Sequence, residues 1–201
     1  MVLTRTGCRR IAWVCGYCCE SAQRRFEAFR RALAHHGVSL EESLVLNEPD
    51  SRENDFFQEH IRRMIQNERP DAVLAFNDND ALTVLNIALE LGIRVPDELS
   101  IVGFGDLSHC LIVRPTLSTV QQDIEGLGRI AVRKLLERIH GNAEGFIPEK
   151  TFLETRIVPR GSCRSWRRSV FFAVFFSVPY PFSRRVLSIG IRVKTSQKTC
   201  P

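Results

Sequence analysis

Residues 69–122 decide the fold and read RPDAVLAFNDNDALTVLNIALELGIRVPDELSIVGFGDLSHCLIVRPTLSTVQQ. The unbroken apolar run at 72–76 is typical of a strand buried on both faces of a parallel sheet. The polar run at 77–80 stops that strand and can cap a helix. Apolar residues then recur at helical spacing, and a second apolar run at 100–104 predicts another buried strand. The stretch is therefore a β-α-β unit.

Polar side chains stand just beyond both strands of this unit. Asn77 follows the first strand, and Asp106 follows the second. Because open α/β sheets bind ligands outside the carboxyl ends of their strands, this pattern predicts a ligand site at that edge.

The rest of the chain up to residue 163 continues the alternation of strands and helices. Further strands are expected at 11–15, 44–46, 116–120 and 151–158, and further helices at 21–36, 51–67 and 123–139. Asp123 is expected to cap the last helix, whose apolar residues are Ile124, Leu127, Ile130, Ala131, Leu135, Leu136 and Ile139. The order β-α-β-α-β-α-β, followed by β-α-β, predicts an α/β fold with a doubly wound parallel sheet and a further unit.

Composition indicates a globular protein, with 44% hydrophobic and 25% charged residues in a length of 201 that favours one domain. The net charge of +5 is unevenly distributed, because residues 164–201 hold eight Lys or Arg and no acid. Residues 1–163 are left with 20 basic against 23 acidic side chains. The basic balance is therefore no sign of a nucleic-acid surface on the folded part.

Residues 164–201 differ in pattern from the rest of the chain. They hold five of the thirteen phenylalanines and show no helical period. One interpretation is a tail that binds a membrane or nucleic acid. The preferred interpretation is a non-native or disordered C-terminus, such as read-through past a lost reading frame, because a selected basic tail is rarely so rich in clustered phenylalanine.

An odd count of seven cysteines and the absence of a signal-peptide pattern favour a reducing, cytoplasmic setting. The longest apolar stretch, at 170–178, falls far short of the roughly 20 residues that a membrane-spanning helix needs. We therefore expect a soluble cytoplasmic protein without a membrane partner.

Motifs for catalysis, cofactors and metals are weak. The C-x-x-C at Cys15 and Cys18 follows a strand, as a thioredoxin-like dithiol would, but a redox role is the less favoured interpretation. Together with Cys19 these thiols lack the further ligands that a zinc site needs. The chain has no phosphate loop and no nucleophile elbow. We expect no catalytic residue, no cofactor, no metal and no enzymatic activity.

Several phrases in combination resemble the effector-binding domain of the LacI/GalR family of bacterial transcription regulators. They are GCRRIA (7–12), RFEAF (25–29), PDAV (70–73), ND (77–78), GIRVPDELSIVGF (92–104), PTLSTVQQ (115–122), GR (128–129) and LLERI (135–139). Each phrase alone is weak, but their order and spacing over roughly 7–163 are highly specific.

The resemblance implies a periplasmic-binding-protein-like fold of type I, in which two α/β lobes clamp a small molecule, usually a sugar or nucleobase. It also implies a homodimer through the outer face of the C-terminal lobe, including the helix at 80–91, and operator DNA bound by a helix-turn-helix headpiece. Against that pattern, residues 1–163 are expected to be a sensor domain truncated at the N-terminus, without the headpiece. They would comprise the C-terminal lobe plus part of the N-terminal lobe.

The resemblance also assigns effector-binding residues. Arg25 precedes the aromatic of the R-x-x-x-F phrase by four positions, and its guanidinium would donate to hydroxyls or a carboxylate. Asn77 would offer its amide from the strand tip, and Gln122 would contact the effector from the segment that crosses between lobes. The alternatives are a solvated helix arginine, a helix cap and an exposed residue at a helix start, respectively.

The phrase VGFGD at 102–106 departs from the family pattern V-G-F/Y-D-D, whose first aspartate contacts the effector. Gly105 stands at that position here, and Asp106 stands at the second. Either the carboxylate contact is missing or Asp106 substitutes for it, which weakens the expectation of the usual sugar specificity.

The predicted function is therefore ligand sensing by a fragment of a LacI-type regulator that responds to a small molecule such as a sugar. Since most of one lobe is missing, we expect weak or no effector binding and no operator binding by the chain alone. The alternatives are a transporter's sugar-binding protein with the same fold and a C-x-x-C thiol oxidoreductase.

Overall fold

The structure is a computed structural model that describes residues 2–17, 19–48, 55–140, 151–164 and 189–191. The described helices are α1 (Val2–Arg5), α2 (Glu20–His35), α3 (Asp55–Arg63), α4 (Asp78–Glu90) and α5 (Ile124–His140). The described strands are β1 (Ile11–Cys15), β2 (Val45–Asn47), β3 (Ala72–Ala75), β4 (Ser100–Gly105), β5 (Ser118–Gln122), β6 (Thr151–Leu153), β7 (Thr155–Val158) and β8 (Ile189–Ile191). Strands and helices alternate as the sequence predicts, apart from the short α1, which the sequence pattern did not indicate.

The main sheet has the strand order β2-β1-β3-β4-β5-β7. Strands β1 to β5 pair in parallel, and β7 runs antiparallel to β5 at the edge. The chain moves outward from β1 to β2 and then returns past β1 to β3, so the strand order reverses between β1 and β3. The predicted doubly wound α/β fold is confirmed, and the reversal creates a crevice at the carboxyl ends of these two strands.

Helices cover both faces of the parallel strands, and the alternation of side chains along each strand decides which core a residue joins. On one face, Trp13 packs in a cluster with Phe29 and Leu33 of α2. On the other face, Val14 belongs to a cluster with Leu85 of α4 and with residues of α3. We call these two sides the α2 face and the α4 face of the sheet.

The single strand expected at 151–158 is instead two short strands on either side of Glu154. The break falls where β5 ends, because Thr155 of β7 pairs with Gln122, the last residue of β5. The preceding β6 pairs with β8 in a separate two-stranded sheet.

Several predicted features lie outside the described residues. They include Cys18, the expected helix cap at Ser51, and the tail 164–201 apart from Arg164 and β8. The helix expected from 51 to about 67 is described from Asp55 onward and ends in a π-helical turn at Met64–Glu68.

Helix α5 forms as predicted but contributes no residue to either core. Its first turn is capped, because the Gly126 N–H donates to Oδ1 of Asp123 at 2.8 Å. Its large exposed apolar side chains are Ile124, Val132, Leu135, Leu136 and Ile139. An amphipathic helix therefore leaves the sheet with its apolar side uncovered by the described residues.

Candidate ligand site at the carboxyl edge of the sheet

The crevice between β1 and β3 is closed at its base by two hydrogen bonds. The Phe76 N–H donates to the Val14 carbonyl at 2.8 Å, and the Gly16 N–H donates to Oδ2 of Asp80 at 3.1 Å. Asp80 is buried at the start of α4, and this burial raises the pKa of its carboxyl from 3.8 to about 6. A buried carboxyl group thus lies behind the edge at which the fold predicts a ligand.

Asn77 serves as the cap of α4. Its Oδ1 accepts a hydrogen bond from the Asp80 N–H at 2.8 Å, so the capping alternative is confirmed. Among the described residues, none accepts a hydrogen bond from its Nδ2, and the side chain is only half-buried. Capping and ligand contact are therefore compatible, since the amide oxygen performs the first and the amide nitrogen can perform the second.

Arg25 reaches from α2 to the ends of β3 and β4. Its guanidinium carbon lies 3.6 Å from the centre of the Phe104 ring and 4.6 Å from that of Phe76. Nη1 donates to the Phe76 carbonyl at 2.7 Å. Burial lowers the pKa of Arg25 to about 10, which leaves it charged at neutral pH. The alternative of a solvated helix arginine is therefore wrong for this residue.

Asp78 connects the segments of this edge from the α4 face. Its fully buried carboxylate accepts hydrogen bonds from the Thr119 hydroxyl at 2.5 Å and from the Leu107 N–H at 2.9 Å. A Cβ on Gly103 would collide with this carboxylate. Burial, with the Asp78 charge nearby, raises the pKa of the Cys110 thiol to about 12. Both carboxylate oxygens of Asp78 thus accept hydrogen bonds from other groups of the protein.

Gly105, which stands where the family pattern has an aspartate, has a backbone that only glycine adopts readily. Its φ is 135°. A Cβ at this position would lie 3.1 Å from Oδ2 of Asp78. Glycine at this position leaves room for the buried carboxylate beside it, and no side chain extends from this point toward a ligand.

Asp106 is held by other polar side chains. Its Oδ1 accepts from Nη2 of Arg160 at 2.5 Å, and its Oδ2 accepts from Nε2 of Gln121 at 2.6 Å. The Gln121 amide oxygen accepts in turn from Arg156. The side chains of Asp106 and Arg160 are only 11% and 12% exposed. A ligand that used Asp106 would have to share a carboxylate already paired with an arginine.

Strand β5 divides the candidate residues between the two faces of the sheet. Gln121 lies two positions after Thr119, so both point to the α4 face, where Gln121 contacts Asp106. Neighbouring side chains alternate, so Gln122 is directed to the α2 face, the side from which Arg25 approaches. By this alternation Gln122 shares a face of the sheet with Arg25, whereas Asp106 contacts Gln121 on the opposite face.

Four residues of this edge escaped sequence reasoning. Phe76 and Phe104 form the surface beneath Arg25, although the sequence pattern assigns them only to buried strands. Their positions at or next to the carboxyl ends of two strands were the available signal. No sequence pattern connects Arg160 or Gln121 with Asp106, since Arg160 lies 54 positions away.

Among the described cysteines, Cys8, Cys19, Cys110 and Cys163 are free thiols. The Cys15 thiol donates to the Tyr17 carbonyl at 3.0 Å. Within the described part of the chain, no group of three or more His, Cys, Asp or Glu is placed to hold a metal ion. No helix in that same part has both the length and the apolar character needed to cross a membrane.

A family model described as a periplasmic binding protein-like domain matches residues 2–163. The chain belongs to this family, in agreement with its doubly wound sheet and polar carboxyl edge. Within the family, the chain is an effector-binding domain of the LacI type, as the resemblance of its sequence phrases predicts.

The similar proteins are transcriptional regulators. The HTH-type transcriptional repressor PurR of Haemophilus influenzae (strain PittEE) is 34% identical over 147 residues, which cover 71% of this chain and 43% of the repressor. A transcriptional regulator CelR–cellobiose complex has a TM-score of 0.71 and 30% identity, over 80% of this chain and 49% of that chain. A LacI-family regulator from Sanguibacter keddieii has a TM-score of 0.72 and 30% identity, over 81% and 61%. The chain thus spans about half the length of these relatives.

Proposed function

We propose that this chain is the small-molecule-sensing part of a LacI-type transcriptional regulator and has no enzymatic activity of its own. The observation that carries the proposal is the charged, half-buried Arg25, fixed over two aromatic rings at the carboxyl edge of the sheet. Donors held rigidly in a crevice suit the recognition of a small polar ligand.

The ligand is a sugar-sized molecule or a nucleobase. Arg25 and the Nδ2 group of Asn77 can both donate hydrogen bonds to ligand oxygens, and Gln122 can donate and accept. The similar regulator solved with cellobiose supports a sugar.

The whole regulator would bind operator DNA through a helix-turn-helix headpiece and would work in the cytoplasm as a homodimer. Ligand binding would shift the equilibrium between lobe arrangements and so change the affinity for DNA. Exposed apolar side chains support an interface on the C-terminal lobe: Leu89 of α4, and Leu111 and Ile112 after β4.

Light scattering on the 201-residue chain tests this interface. Ile112→Asp should convert the dimer to a monomer, because it places a charge in an apolar contact. The control is Ile139→Asp on α5, which exposes a similar side chain elsewhere. Dissociation by the control alone would move the interface to α5 and contradict the proposal.

Ligand binding can be tested by following ¹⁵N–¹H spectra of the same chain during titration with cellobiose, ribose or hypoxanthine. We expect shifts confined to residues around Arg25 and Asn77. Gln122→Ala should weaken binding several-fold, whereas Gln23→Ala, at an exposed position on α2, should have no effect. Spectra unchanged by every ligand up to its solubility limit would contradict ligand sensing by this chain.

A further inference from the structure

Arg25 presents unused hydrogen-bond donors at the carboxyl edge of the sheet. A guanidinium has five N–H groups. Among the described residues, only the Phe76 carbonyl accepts a hydrogen bond from Arg25, and the donor is Nη1. The guanidinium carbon lies over the Phe104 ring, 3.6 Å from its centre, and Nη1 is bonded to the Phe76 carbonyl. These two contacts restrict the position of the remaining donors before a ligand arrives.

Within the described residues, no carboxylate pairs directly with Arg25, since none has an oxygen within 4.0 Å of its nitrogens. Asp78 is near enough to raise the pKa of Arg25, but this effect is smaller than that of burial. Both oxygens of Asp78 accept from protein groups, and Asp80 accepts from the Gly16 N–H. A half-buried guanidinium without a direct partner carries a desolvation cost that an anionic ligand would offset.

The adjoining segment after Phe104 adds no free negative charge to the edge. Gly105 has no side chain, and its backbone conformation disfavours one. Asp106 lies on the other face and pairs with Arg160 at 2.5 Å. Among the described residues 104–106, no carboxylate is left free to accept hydrogen bonds from sugar hydroxyls, whereas Arg25 is available.

We propose that the ligand of this site carries a carboxylate or a phosphate group that pairs with Arg25. This inference rests on the proposed function, because it specifies the class of small molecule that the same site binds. A planar guanidinium and either anion can share two parallel hydrogen bonds, which are stronger than those to uncharged oxygens. The ligand is therefore an acidic or phosphorylated molecule of sugar size.

The test compares ligands that share one ring and differ in charge, added to the full chain at constant ionic strength. The Arg25 Nε–Hε resonance, assigned as the signal lost in Arg25→Gln, is followed during addition of glucose, glucuronate or glucose 6-phosphate. Acetate and inorganic phosphate report on the anion alone. We expect the better acid to half-saturate the site at about tenfold lower concentration than glucose. The carboxylate and phosphate arms identify which anion is preferred.

Two variants give the control. The preference for the acid, read from backbone amides, should disappear in Arg25→Gln and persist in Arg31→Gln, an exposed arginine on the same helix. Arg25→Lys keeps the charge without the planar fork and should retain part of the preference, which guards against a folding defect in Arg25→Gln.

Each contrary result overturns a different statement. Equal half-saturation by glucose and both acids would overturn the anionic ligand class and leave small-molecule binding intact. A preference that survives Arg25→Gln would overturn the role of Arg25. If neither these ligands nor cellobiose, ribose or hypoxanthine perturbs Arg25, Phe76 or Phe104, the proposed function fails together with this inference.

Discussion

Helices α4 and α5 are both amphipathic and both begin with a side-chain cap, yet they differ in what covers them. Helix α4 buries Ala81, Leu85 and Ala88 completely against the sheet. Helix α5 leaves its large apolar side chains mostly exposed, up to 63% for Ile139. An apolar stripe thus indicates which side of a helix is to be buried, whereas burial itself requires a covering surface, which the described part of this chain does not supply to α5.

We expect the largest difference between the two helices when a leucine in each is replaced by alanine and the losses in free energy of unfolding are compared. Leu85→Ala should lower the free energy of unfolding by about 3–4 kcal/mol, because it removes a buried side chain and leaves a cavity. Leu135→Ala should change it by no more than about 0.5 kcal/mol, since the side chain is exposed and alanine favours a helix. Urea unfolding followed by circular dichroism measures both values.

A large loss of stability in Leu135→Ala would contradict the exposure of the apolar side of α5. It would mean that α5 is covered in solution, by the tail or by a second copy of the chain. Concentration dependence of the unfolding midpoint would then separate a second copy from the tail.

The ion pair between Asp106 and Arg160 connects the end of β4 with the residues that follow β7. Its contribution to stability can be measured by removing the cation. Arg160→Met leaves a nearly buried carboxylate without its cation, and we expect a loss of about 2–3 kcal/mol. Arg156→Met, at an exposed position on β7, should cost no more than about 0.5 kcal/mol. Equal small losses would show that Asp106 reaches water once Arg160 is removed.

Sequence patterns predicted the sheet better than the site, for a physical reason. Buried runs such as 72–76 and 100–104 indicate strands whatever lies beside them, because both faces are covered. The role of Asp106 depends instead on which side chains of β5 face it and on Arg160, which is distant in sequence. The position of a side chain on one face or the other changes with a single residue of register.

The roles of Asn77 and Gly105 likewise depend on contacts that sequence patterns do not reveal. The sequence predicts Asn77 as a cap or a ligand contact, and only the hydrogen bond to the Asp80 N–H shows that the cap forms. Glycine at 105 suits both its positive φ and the nearby buried carboxylate of Asp78, a contact between the end of β4 and the start of α4 that no local pattern reveals.

The buried carboxyl of Asp80 at the start of α4 should make the free energy of unfolding depend on pH. The folded-state pKa of Asp80 is raised to about 6 from 3.8, so the folded chain favours the protonated form. Its contribution is complete below pH 4 and is lost as the pH rises toward 6, by roughly 2–3 kcal/mol.

Asp80→Asn isolates this effect from the other carboxyl groups. The variant should gain stability relative to the original chain between pH 4 and pH 7, because asparagine can still accept from the Gly16 N–H without ionising. A difference that stays constant across this range in urea titrations would contradict the raised pKa.

The smallest effects are expected from substitutions that remove the side-chain cap at the start of each helix. Asn77→Ala should lower the free energy of unfolding by about 1 kcal/mol, since the first turn of α4 is packed against the sheet and unfolds with it. Asp123→Ala should leave the unfolding midpoint unchanged but reduce the helical circular dichroism signal, because an uncovered helix of this length is marginal in water and frays without its cap. If Asp123→Ala instead shifts the midpoint as far as Asn77→Ala does, α5 unfolds together with the sheet, and its apolar side must be in contact with something that stabilises it.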